Sequence, residues 1–499
     1  MTKSRITIET ALLVALHQHE KINEMSIIKP TVLKKTLFAL ALVITLAACV
    51  LNKTDSASKQ KPNIILIMAD DLGWGDVGFN GNQIIKTPNL DKMAQEGLQF
   101  DRFYSAAPVC SPTRGSCLTG KHPFRYGIYF AMTGHIKKEE VLIPEILRKH
   151  GYTTGHFGKW HLGTLTHGEQ KRWGGWTKDP EGNYSPPWEN GYDTCFVTES
   201  KVPTWNPMIV PEGWPNMEAG PPFGNDYWTG YEKKARENLD GDDSRVIVDR
   251  VTPFIENSVK TEKPFFSVIW FHTPHEPVVA GSKYKSMYTD YSEEEQHYYG
   301  CITAMDEQVG RLNDKLKELG VDNNTIIWFC SDNDPEVARK GKIQIGSAAP
   351  FRGLKRSLHE EGIRVPAICC MARIPKRQFH ALRPIISRLM DLLGLHRSEY
   401  ENPLDGISLL PVTRGERTKR DMPIGFKSQN QRAWNTDEYK LYSGDGGKTF
   451  ALYDLLSDPH EDHDLSNQFP EMVAKMKAQL LAWEESCNKS DKGLDYQTK

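Results

Sequence analysis

The sequence has no excess of charge of either sign, no apolar run long enough to span a bilayer and no ladder of paired cysteines. Its 62 Lys and Arg residues nearly balance 64 Asp and Glu residues, and the charges are interspersed along the chain. Without a basic face, nucleic acid is excluded as an expected partner. The nine cysteines are odd in number and scattered, which argues against a disulfide-stapled fold. Buried, reduced thiols are expected at Cys330 and Cys369-Cys370, which lie in apolar stretches.

What is present is an ordinary globular composition. The chain has 499 residues, of which 39% are hydrophobic and 25% charged. This excludes a disordered, collagenous or multi-span membrane protein. The length allows one large α/β domain with a smaller appended unit, and such a domain can bury a sizeable core.

The N-terminal region reads as a targeting segment. Lys34-Lys35 precedes an apolar stretch from Leu37 to Leu46, which runs into Ala47-Ala48-Cys49. The stretch is shorter than the roughly 20 residues of a spanning helix, and its charged, apolar, small-residue order is typical of a cleaved export signal. Leu46-Ala47-Ala48-Cys49 resembles a bacterial lipobox, which implies lipidation at Cys49. An ordinary secretory signal with an incidental cysteine is the alternative.

These patterns predict the first domain boundaries. Residues 1–49 form the signal or lipoprotein segment, with 1–24 an artefact of the gene start if Met25 is the true initiator, and polar residues 50–61 form a flexible tether. We expect the mature protein in a bacterial cell envelope, held at the membrane by its N-terminal lipid and facing the periplasm or the cell surface.

Two strongly apolar runs end in carboxylate or amide side chains. Asn63–Met68 is followed by Asp70-Asp71, and Thr325–Cys330 is followed by Ser331-Asp332-Asn333. Such runs are typical of strands buried on both faces of a parallel sheet. Since ligands of open α/β sheets bind beyond the carboxyl ends of the strands, both sets are expected to converge on one crevice.

Apolar periodicity predicts helices between and after these strands. They are expected at Asn89–Gly97, Glu140–Lys149, Tyr298–Leu319, Pro384–Leu393 and Met472–Trp483. We assign residues 62–375 to a catalytic domain and 376–499 to a smaller C-terminal subdomain.

An aromatic-rich insertion is predicted at residues 164–243. It holds six of the twelve tryptophans of the chain. Aromatic rings stack well on the apolar faces of sugars, so these residues are expected either to form a glycan-facing wall or to form a small core of the insertion itself.

The segment from Cys110 to Gly120 carries the most specific signal. Its Cys-x-Pro-x-Arg pattern, Cys110 to Arg114, is followed by Leu118-Thr119-Gly120. The pattern resembles the type I sulfatases, whose cysteine is converted to formylglycine by a formylglycine-generating maturation enzyme. The stretch Ala69–Tyr129 resembles N-acetylgalactosamine-6-sulfatases and bacterial polysaccharide sulfatases of the carrageenan type.

Further motifs of that family follow in order along the chain. They are Asp70-Asp71, Gly158-Lys159-Trp160-His161, Pro274-His275-Glu276-Pro277, Ser331-Asp332-Asn333, Lys355 and Glu360 to Pro366. The resemblance implies an alkaline-phosphatase-like α/β sandwich with a large mixed, mostly parallel sheet flanked by helices, plus a smaller C-terminal α+β subdomain with a short antiparallel sheet.

The carboxylates suit a hard metal ion. Asp70, Asp71, Asp332 and Asn333 offer only oxygen ligands, as Ca²⁺ or Mg²⁺ prefers, whereas a zinc site would need His or Cys. The resemblance favours Ca²⁺ over Mg²⁺ and adds the modified Cys110 to the metal ligands. For an isolated Asp pair, a turn or cap at a strand end is the alternative.

The resemblance also implies a mechanism. One hydroxyl of the hydrated aldehyde at position 110 attacks sulfur, the alcohol leaves, and the second hydroxyl then expels sulfate from the sulfo-enzyme. By position, Arg114 holds the hydrate and His161 is the base of the elimination step. Lys159 and Lys355 bind the sulfate oxygens, and His275 protonates the leaving oxygen and contacts the substrate. His272 is expected to be structural.

Four residues depart from the family pattern: Cys117 in place of an aliphatic residue, Phe157 before Gly158, Asp334 after Asn333, and Glu361 in place of a glycine. None removes an expected ligand, although Asp334 adds a carboxylate to the metal loop.

The expected function is hydrolysis of sulfate esters in a sulfated oligo- or polysaccharide, with a galacto-configured sugar of a galactan or glycosaminoglycan favoured. A phosphonate or phosphodiester hydrolase of the same superfamily and a non-catalytic glycan-binding lipoprotein are the alternatives. A binding protein would not need Cys110 or His275.

Overall fold

A computed structural model describes residues 61–168, 170–172, 174–215, 217–336, 344–370, 377–379, 404–406 and 422–496. Cys49, the signal segment, all of the tether but Lys61, Trp173 and the helix expected at Pro384–Leu393 lie outside these residues. Among the described helices, none has the length and apolar character needed to cross a membrane. The assigned domain boundaries stay predictions.

The strands are β1 (Asn63–Ala69), β2 (Leu98–Phe100), β3 (Phe103–Tyr104), β4 (Thr153–Lys159), β5 (Thr194–Thr198), β6 (Trp228–Gly230), β7 (Lys233–Lys234), β8 (Phe265–Trp270), β9 (Thr325–Ser331), β10 (Arg364–Val365), β11 (Ala367–Cys370), β12 (Arg377–Phe379), β13 (Ile424–Ser428), β14 (Gln431–Asn435), β15 (Tyr439–Ser443) and β16 (Ala451–Asp454). The α-helices are α1 (Pro88–Glu96), α2 (Cys110–Thr119), α3 (Pro123–Tyr126), α4 (Ile143–Lys149), α5 (Asp243–Lys260), α6 (Ser282–Lys285), α7 (Glu293–Glu318), α8 (Glu360–Ile363) and α9 (Pro470–Asp491).

A ten-stranded mixed sheet dominates the fold, in the order β12-β2-β11-β9-β1-β8-β4-β5-β6-β7. Its five central strands, β9, β1, β8, β4 and β5, are all parallel. Every residue of β1, β8 and β9 is buried, as the unbroken apolar runs predict. Large apolar clusters cover both faces of the sheet. The expected α/β fold with a large, mostly parallel sheet is confirmed.

The expected C-terminal antiparallel sheet is also confirmed. Strands β13 to β16 pair in sequence order, each antiparallel to the next. Helix α9 packs on this sheet through Met476 and Leu480, which join Trp434, Leu441 and Leu452 in one apolar cluster.

Helices α4, α7 and α9 differ from the sequence expectation by more than one residue, and α9 extends past the expected Met472–Trp483 at both ends, from Pro470 to Asp491. Helix α7 begins at Glu293, five residues before the expected start, because Ser292 and Glu295 form a capping box at its N-terminus. Helix α4 begins at Ile143 and leaves Glu140–Leu142 outside, since Pro144 favours the first turn of a helix.

Of the five described tryptophans of the insertion, Trp176 and Trp228 are buried, so the glycan-facing wall is wrong for these two, whereas Trp188, Trp205 and Trp214 are partly exposed and leave that expectation a prediction. Trp176 and Trp228 are each 1% exposed. Trp188 and Trp205 pack against the two main apolar clusters, and Trp214 joins a small cluster with Val202, Val210 and Phe223.

Candidate active site

The carboxyl ends of β1 and β9 bring the expected metal ligands together. The register of these parallel strands places Ala69 opposite Ser331, so the side chains that follow each strand emerge next to each other. Asp70, Asp71, Asp332 and Asn333 are all buried, at 2% exposure or less. The backbone N–H of Asp71 donates to Asp332 Oδ1 at 3.1 Å.

Asp332 is held by a guanidinium. Nε and Nη2 of Arg114 donate to Asp332 Oδ2 at 3.0 and 2.6 Å, and Nη2 also lies 3.4 Å from Asp70 Oδ1. Burial and the negative charge of Asp70 raise the pKa of Asp332 to about 7, against the opposing effect of Arg114.

Asp70 and Asp71 each pair with one lysine. Lys159 Nζ donates to Asp70 Oδ2 at 2.7 Å, and Lys355 Nζ donates to both oxygens of Asp71 at 2.6 and 2.7 Å. Burial alone would raise the pKa of Asp70, but Lys159 and the other nearby cations outweigh burial and hold that pKa well below its usual range. Glu336, a residue that the sequence did not single out, lies 3.7 Å from Lys355 Nζ.

Cys110 is the first residue of helix α2 and faces these carboxylates. Its thiol sulfur, one oxygen of Asp70 and one of Asp332 all lie within 4.8 Å of one another. Burial raises the pKa of the thiol, so an unmodified Cys110 is protonated at neutral pH. The N-terminus of a helix favours negative charge, which suits this position for an anionic group.

His161 lies beside this cluster and is held neutral. Burial and the charges of Lys159 and Arg114 lower its pKa well below the ordinary value. Its Nδ1 is buried and has no hydrogen-bond partner within the described part of the chain. Its ring packs edge-on against the ring of Trp176, with 5.5 Å between the two ring centroids. A neutral imidazole with an available nitrogen is the form that can accept a proton.

His275 approaches from the loop after β8. Its Nδ1 lies 2.7 Å from the carbonyl oxygen of Glu276, and because a carbonyl only accepts, Nδ1 carries a proton. This leaves Nε2, which lies 3.7 Å from Asp71 Oδ2, as the nitrogen that faces the site. Burial lowers the pKa of His275 well below its ordinary value, and Lys159, Lys355 and Lys201 add to that effect against Asp70.

The backbone is strained where it delivers two of these side chains. Asp71 and His161 have φ values of 66° and 61°, in the left-handed region that side-chain-bearing residues rarely adopt. Gly158 precedes Lys159 at φ 96°, and a Cβ there would lie 2.0 Å from the carbonyl oxygen of Trp270. Only glycine fits at this point of the motif.

The residues present fit a hard cation. Buried oxygens Asp70 Oδ1 and Asn333 Oδ1 have no hydrogen-bond partner among the described residues, although buried polar atoms are normally paired. A second group of candidate ligand atoms, from Asp70, Asp71 and His275, also lies within 4.8 Å of one another. Carboxylate and amide oxygens with no thiolate pair suit Ca²⁺ or Mg²⁺.

All the expected catalytic and metal-binding residues from Asp70 to Lys355 therefore meet at one edge of the sheet. His272 does not point into the site: its Nδ1 lies 2.8 Å from Asp243 and its Nε2 2.7 Å from Thr198, in agreement with a structural role. Asp334 turns away from the expected ligands and accepts a hydrogen bond from the backbone of Trp74 at 2.9 Å.

Besides Glu336, two further neighbours of the site were not predicted from the sequence. Trp270 lies under the guanidinium of Arg114, 5.1 Å from ring centroid to Cζ. Lys201 follows the end of strand β5 closely. The rule that ligands bind at the carboxyl ends of strands would have flagged Lys201, but β5, with the sequence TCFVT, is too short and too polar to stand out.

No disulfide joins the eight described cysteines. Cys330 and Cys369 are buried and Cys370 is partly buried, as expected of reduced thiols in apolar strands. Cys117, seven residues after Cys110 on helix α2, is also buried, and burial raises the pKa of its thiol to about 12.

Comparison with known proteins places this arrangement in context. A family model described as Sulfatase matches residues 62–395. N-acetylgalactosamine-6-sulfatase of Mus musculus is 30% identical over 411 residues, covering 78% of this chain and 73% of the mouse protein. An ulvan-active sulfatase of Formosa agariphila is 27% identical over 505 residues, covering 92% of this chain and 89% of that protein.

Solved structures share the fold. The crystal structure of Ps i-CgsB superposes with a TM-score of 0.73 at 24% identity, covering 88% of this chain and 97% of that one. The same protein has been solved in complex with k-i-k-neocarrahexaose, and that structure gives a TM-score of 0.69.

Proposed function

The chain belongs to the sulfatase family and is a sulfuric ester hydrolase acting on sulfated carbohydrate, and on this premise we propose that it removes sulfate from a galacto-configured sugar by means of a formylglycine at position 110. The sugar is that of a carrageenan-type galactan or of a glycosaminoglycan fragment. The name of one relative, N-acetylgalactosamine-6-sulfatase, supports a galacto-configured sugar, and the name of the ulvan-active sulfatase supports a sulfated polysaccharide more broadly.

One observation carries the proposal. The Cys110 sulfur lies within 4.8 Å of Asp70 and Asp332 oxygens, at the start of a helix and beside Arg114. A reactive group at that position is surrounded by buried cations that can neutralise a sulfate ester. The negative charge of the ester is the main obstacle to attack on it, so this neutralisation favours the reaction.

The side chains divide the proton transfers between them. Lys159 and Lys355 bind the sulfate oxygens as compact positive charges, and Arg114 holds the hydrated aldehyde. The neutral His161 accepts the proton whose loss drives sulfate release. Because Nδ1 donates to the carbonyl of Glu276, His275 acts as the acid when Nε2 also carries a proton, and an incoming sulfate ester favours that form by opposing the lysine charges that add to the effect of burial on its pKa.

Asp70, Asp71, Asp332 and Asn333, with the modified Cys110, would hold a calcium ion in preference to magnesium. A bound divalent cation supplies Lewis acidity, which lowers the pKa of a coordinated hydroxyl and neutralises charge on the sulfate.

We further propose that the protein is a lipoprotein of a bacterial cell envelope, with lipid on Cys49 anchoring it at the membrane and its catalytic domain facing the periplasm or the cell surface. The charged, apolar, small-residue order before Cys49 supports this location. A Cys49→Ala variant should move from the membrane fraction to the soluble fraction of the cell envelope, whereas an unchanged distribution would contradict lipid anchoring.

The decisive test is the mass of the tryptic peptide Phe103–Arg114 from protein made together with a formylglycine-generating enzyme. We expect the mass of an aldehyde in place of the thiol, together with release of inorganic sulfate from a sulfated galactoside. A peptide that retains the thiol while the protein still releases sulfate would contradict the formylglycine mechanism.

Matched aryl esters separate the alternative reaction. With the same leaving group, kcat/KM should be higher for the aryl sulfate than for the aryl phosphate and the aryl phosphonate. Preference for the phosphonate or phosphodiester would instead support the phosphonate hydrolase, and binding of sulfated glycan without turnover of any ester would support a glycan-binding lipoprotein.

A further inference from the structure

Lys201 lies on a short segment that connects the loops of both site histidines. The backbone N–H groups of Trp160 and His161 donate to the carbonyl oxygens of Thr198 and Glu199, at 2.9 and 3.1 Å. Three residues beyond Lys201, the N–H of Thr204 donates to the carbonyl of Pro277 at 3.1 Å. The segment is therefore tied to the His161 loop at one end and to the His275 loop at the other.

The backbone of Lys201 is fixed in this position. The amide of the buried Asn225 donates to the carbonyl oxygen of Lys201 at 2.7 Å and to Ser200 Oγ at 2.9 Å. Thr198 Oγ1 donates to the carbonyl of Ser200 at 2.8 Å. Lys201 is thus presented by a hydrogen-bonded turn rather than by a loose loop.

Its ammonium group is positioned by an aromatic ring. Lys201 Nζ lies 4.9 Å from the centroid of the Trp214 ring, which is held in place by a cluster that includes Val202 and Phe223. Both Lys201 and Trp214 are partly exposed. Because the segment that carries Lys201 is hydrogen-bonded to His161 on one side and to Pro277, two residues after His275, on the other, Lys201 lies at the border of the site.

The three other cations of the site have a different placement. Arg114, Lys159 and Lys355 are each 5% exposed or less and lie directly on the carboxylates proposed for the metal. Lys201 is more exposed and lies on the insertion, at the border of the site. A cation in this position is suited to a charge on the part of the substrate that extends away from the scissile sulfate.

We propose that Lys201, positioned by Trp214, is a specificity-determining residue that binds a second anionic group of the sugar substrate. This inference rests on the proposed function. That group is a further sulfate ester or a carboxylate. The sulfated glycans proposed as substrates carry such charges at short intervals. A cation at the border of the site would therefore favour substrates that have an anion next to the scissile ester.

The test compares substrates that differ only in the second charge. The full chain, made with the maturation enzyme, is assayed on an aryl sulfate, a monosulfated galactoside, the same galactoside with a second sulfate ester, and the same galactoside with a neighbouring uronic acid. Variants are Lys201→Met, Lys201→Arg and, as a charge-matched control in the same insertion, the exposed Lys233→Met.

We expect Lys201→Met to lower kcat/KM on one of the doubly charged sugars by about tenfold to a hundredfold, mainly through a higher KM. This factor corresponds to the loss of one hydrogen bond between charged groups. The loss on the aryl sulfate and the monosulfated galactoside should be several-fold smaller, Lys201→Arg should recover most of the loss, and Lys233→Met should match the unmodified chain. The doubly charged sugar that responds identifies the second anion as sulfate or carboxylate. An equal loss on every substrate, or no loss on either doubly charged sugar, would overturn the proposal.

A binding measurement separates this inference from the proposed function. Calorimetry compares Cys110→Ala with the double variant Cys110→Ala, Lys201→Met on the doubly charged sugars. If the matured chain releases no sulfate, the proposed function fails, yet a tenfold weaker affinity of the double variant still supports a second-anion site. Equal affinities of the two variants, or no detectable binding by either, would contradict it.

Discussion

Two buried networks of acidic and basic side chains differ in how many of their polar atoms lack a hydrogen-bond partner. We call the network with more unpaired atoms open and the other one closed. At the carboxyl edge of the large sheet, Asp70, Asp71 and Asp332 meet Arg114, Lys159 and Lys355. Beside the four-stranded sheet, Lys440 lies 3.2 Å from Glu360 Oε1 and 3.0 Å from Glu461 Oε1, and all three are fully buried.

The second network leaves one carboxylate oxygen, Glu461 Oε1, without a hydrogen bond among the described residues, although that oxygen lies 3.0 Å from Lys440 Nζ. Tyr104 donates to Glu360 Oε2 at 2.8 Å, and the backbone N–H of Glu360 donates to Glu461 Oε2 at 2.7 Å. The first network leaves Asp70 Oδ1, Asn333 Oδ1 and Arg114 Nη1 without hydrogen-bond partners among the described residues. The network at the edge of the large sheet therefore has more unpaired polar atoms than the other, which fits the proposal that the first binds a ligand and the second stabilises the fold.

The largest expected effect is at Cys110, at the open network. Cys110→Ala removes the proposed nucleophile, so kcat on any sulfate ester should fall by more than about 10⁴-fold. Because alanine fits the same buried position, the midpoint of thermal unfolding should change little. Cys117→Ala on the same helix is the matched control and should retain activity. Turnover by Cys110→Ala comparable to that of the unsubstituted chain would refute covalent catalysis.

The next effect concerns His275 and depends on the leaving group. His275→Ala should lower kcat/KM on a sugar sulfate by about 10²–10⁴-fold, the usual contribution of a general acid. An aryl sulfate, whose leaving group needs no proton, should lose less than about tenfold. The ratio of the two losses is the measurement, and equal losses would show that His275 does not act as the acid.

Breaking the closed network should cost stability instead. Lys440→Met leaves two buried carboxylates without their shared cation, so the free energy of unfolding in urea should fall by about 3–5 kcal/mol. The kcat of the molecules that remain folded should not change. The exposed Lys448→Met, near the same sheet, is the control and should cost less than about 1 kcal/mol. A small effect at Lys440 would mean that this network does not stabilise the fold.

The smallest expected effect is a ligand response confined to the open network. Calcium at about 100 times its dissociation constant should stabilise the chain by about 2.7 kcal/mol relative to a chelator, seen as a higher midpoint of thermal unfolding. Asp332→Asn removes a charged ligand and should shrink that response, whereas Lys440→Met should keep it. The same response in Asp332→Asn as in the unsubstituted chain would argue against a cation held by this group.

The sequence predicts the open network better than the closed one. Strands β1 and β9 are continuous apolar runs that end in Asp or Asn, so their convergence follows from the geometry of parallel sheets. Lys440 and Glu461 lie in short polar segments, which read locally as solvent-exposed. Their burial depends on long-range packing between β15, α8 and the loop of Glu461, and no local pattern encodes it.

The same dependence on long-range packing explains why the sequence does not show which tryptophans of the insertion are buried. Tryptophans such as Trp176 and Trp228 suit a sugar-binding surface and an apolar core equally well by residue type, and only the tertiary packing shows that they face inward. The capping box of Ser292 and Glu295, in contrast, is a local signal that was present in the sequence and would have placed the start of α7 correctly.

The burial of Cys110 sets an order of events in the life of the protein. The side chain is 2% exposed, and every residue of the helix that it begins is buried. A maturation enzyme that must enclose this cysteine in its own active site has no access to it once the sheet and helix have closed around it. If position 110 is matured as proposed, the oxidation therefore acts on the unfolded chain, and a chain that folds with the thiol intact can be matured only by unfolding it again.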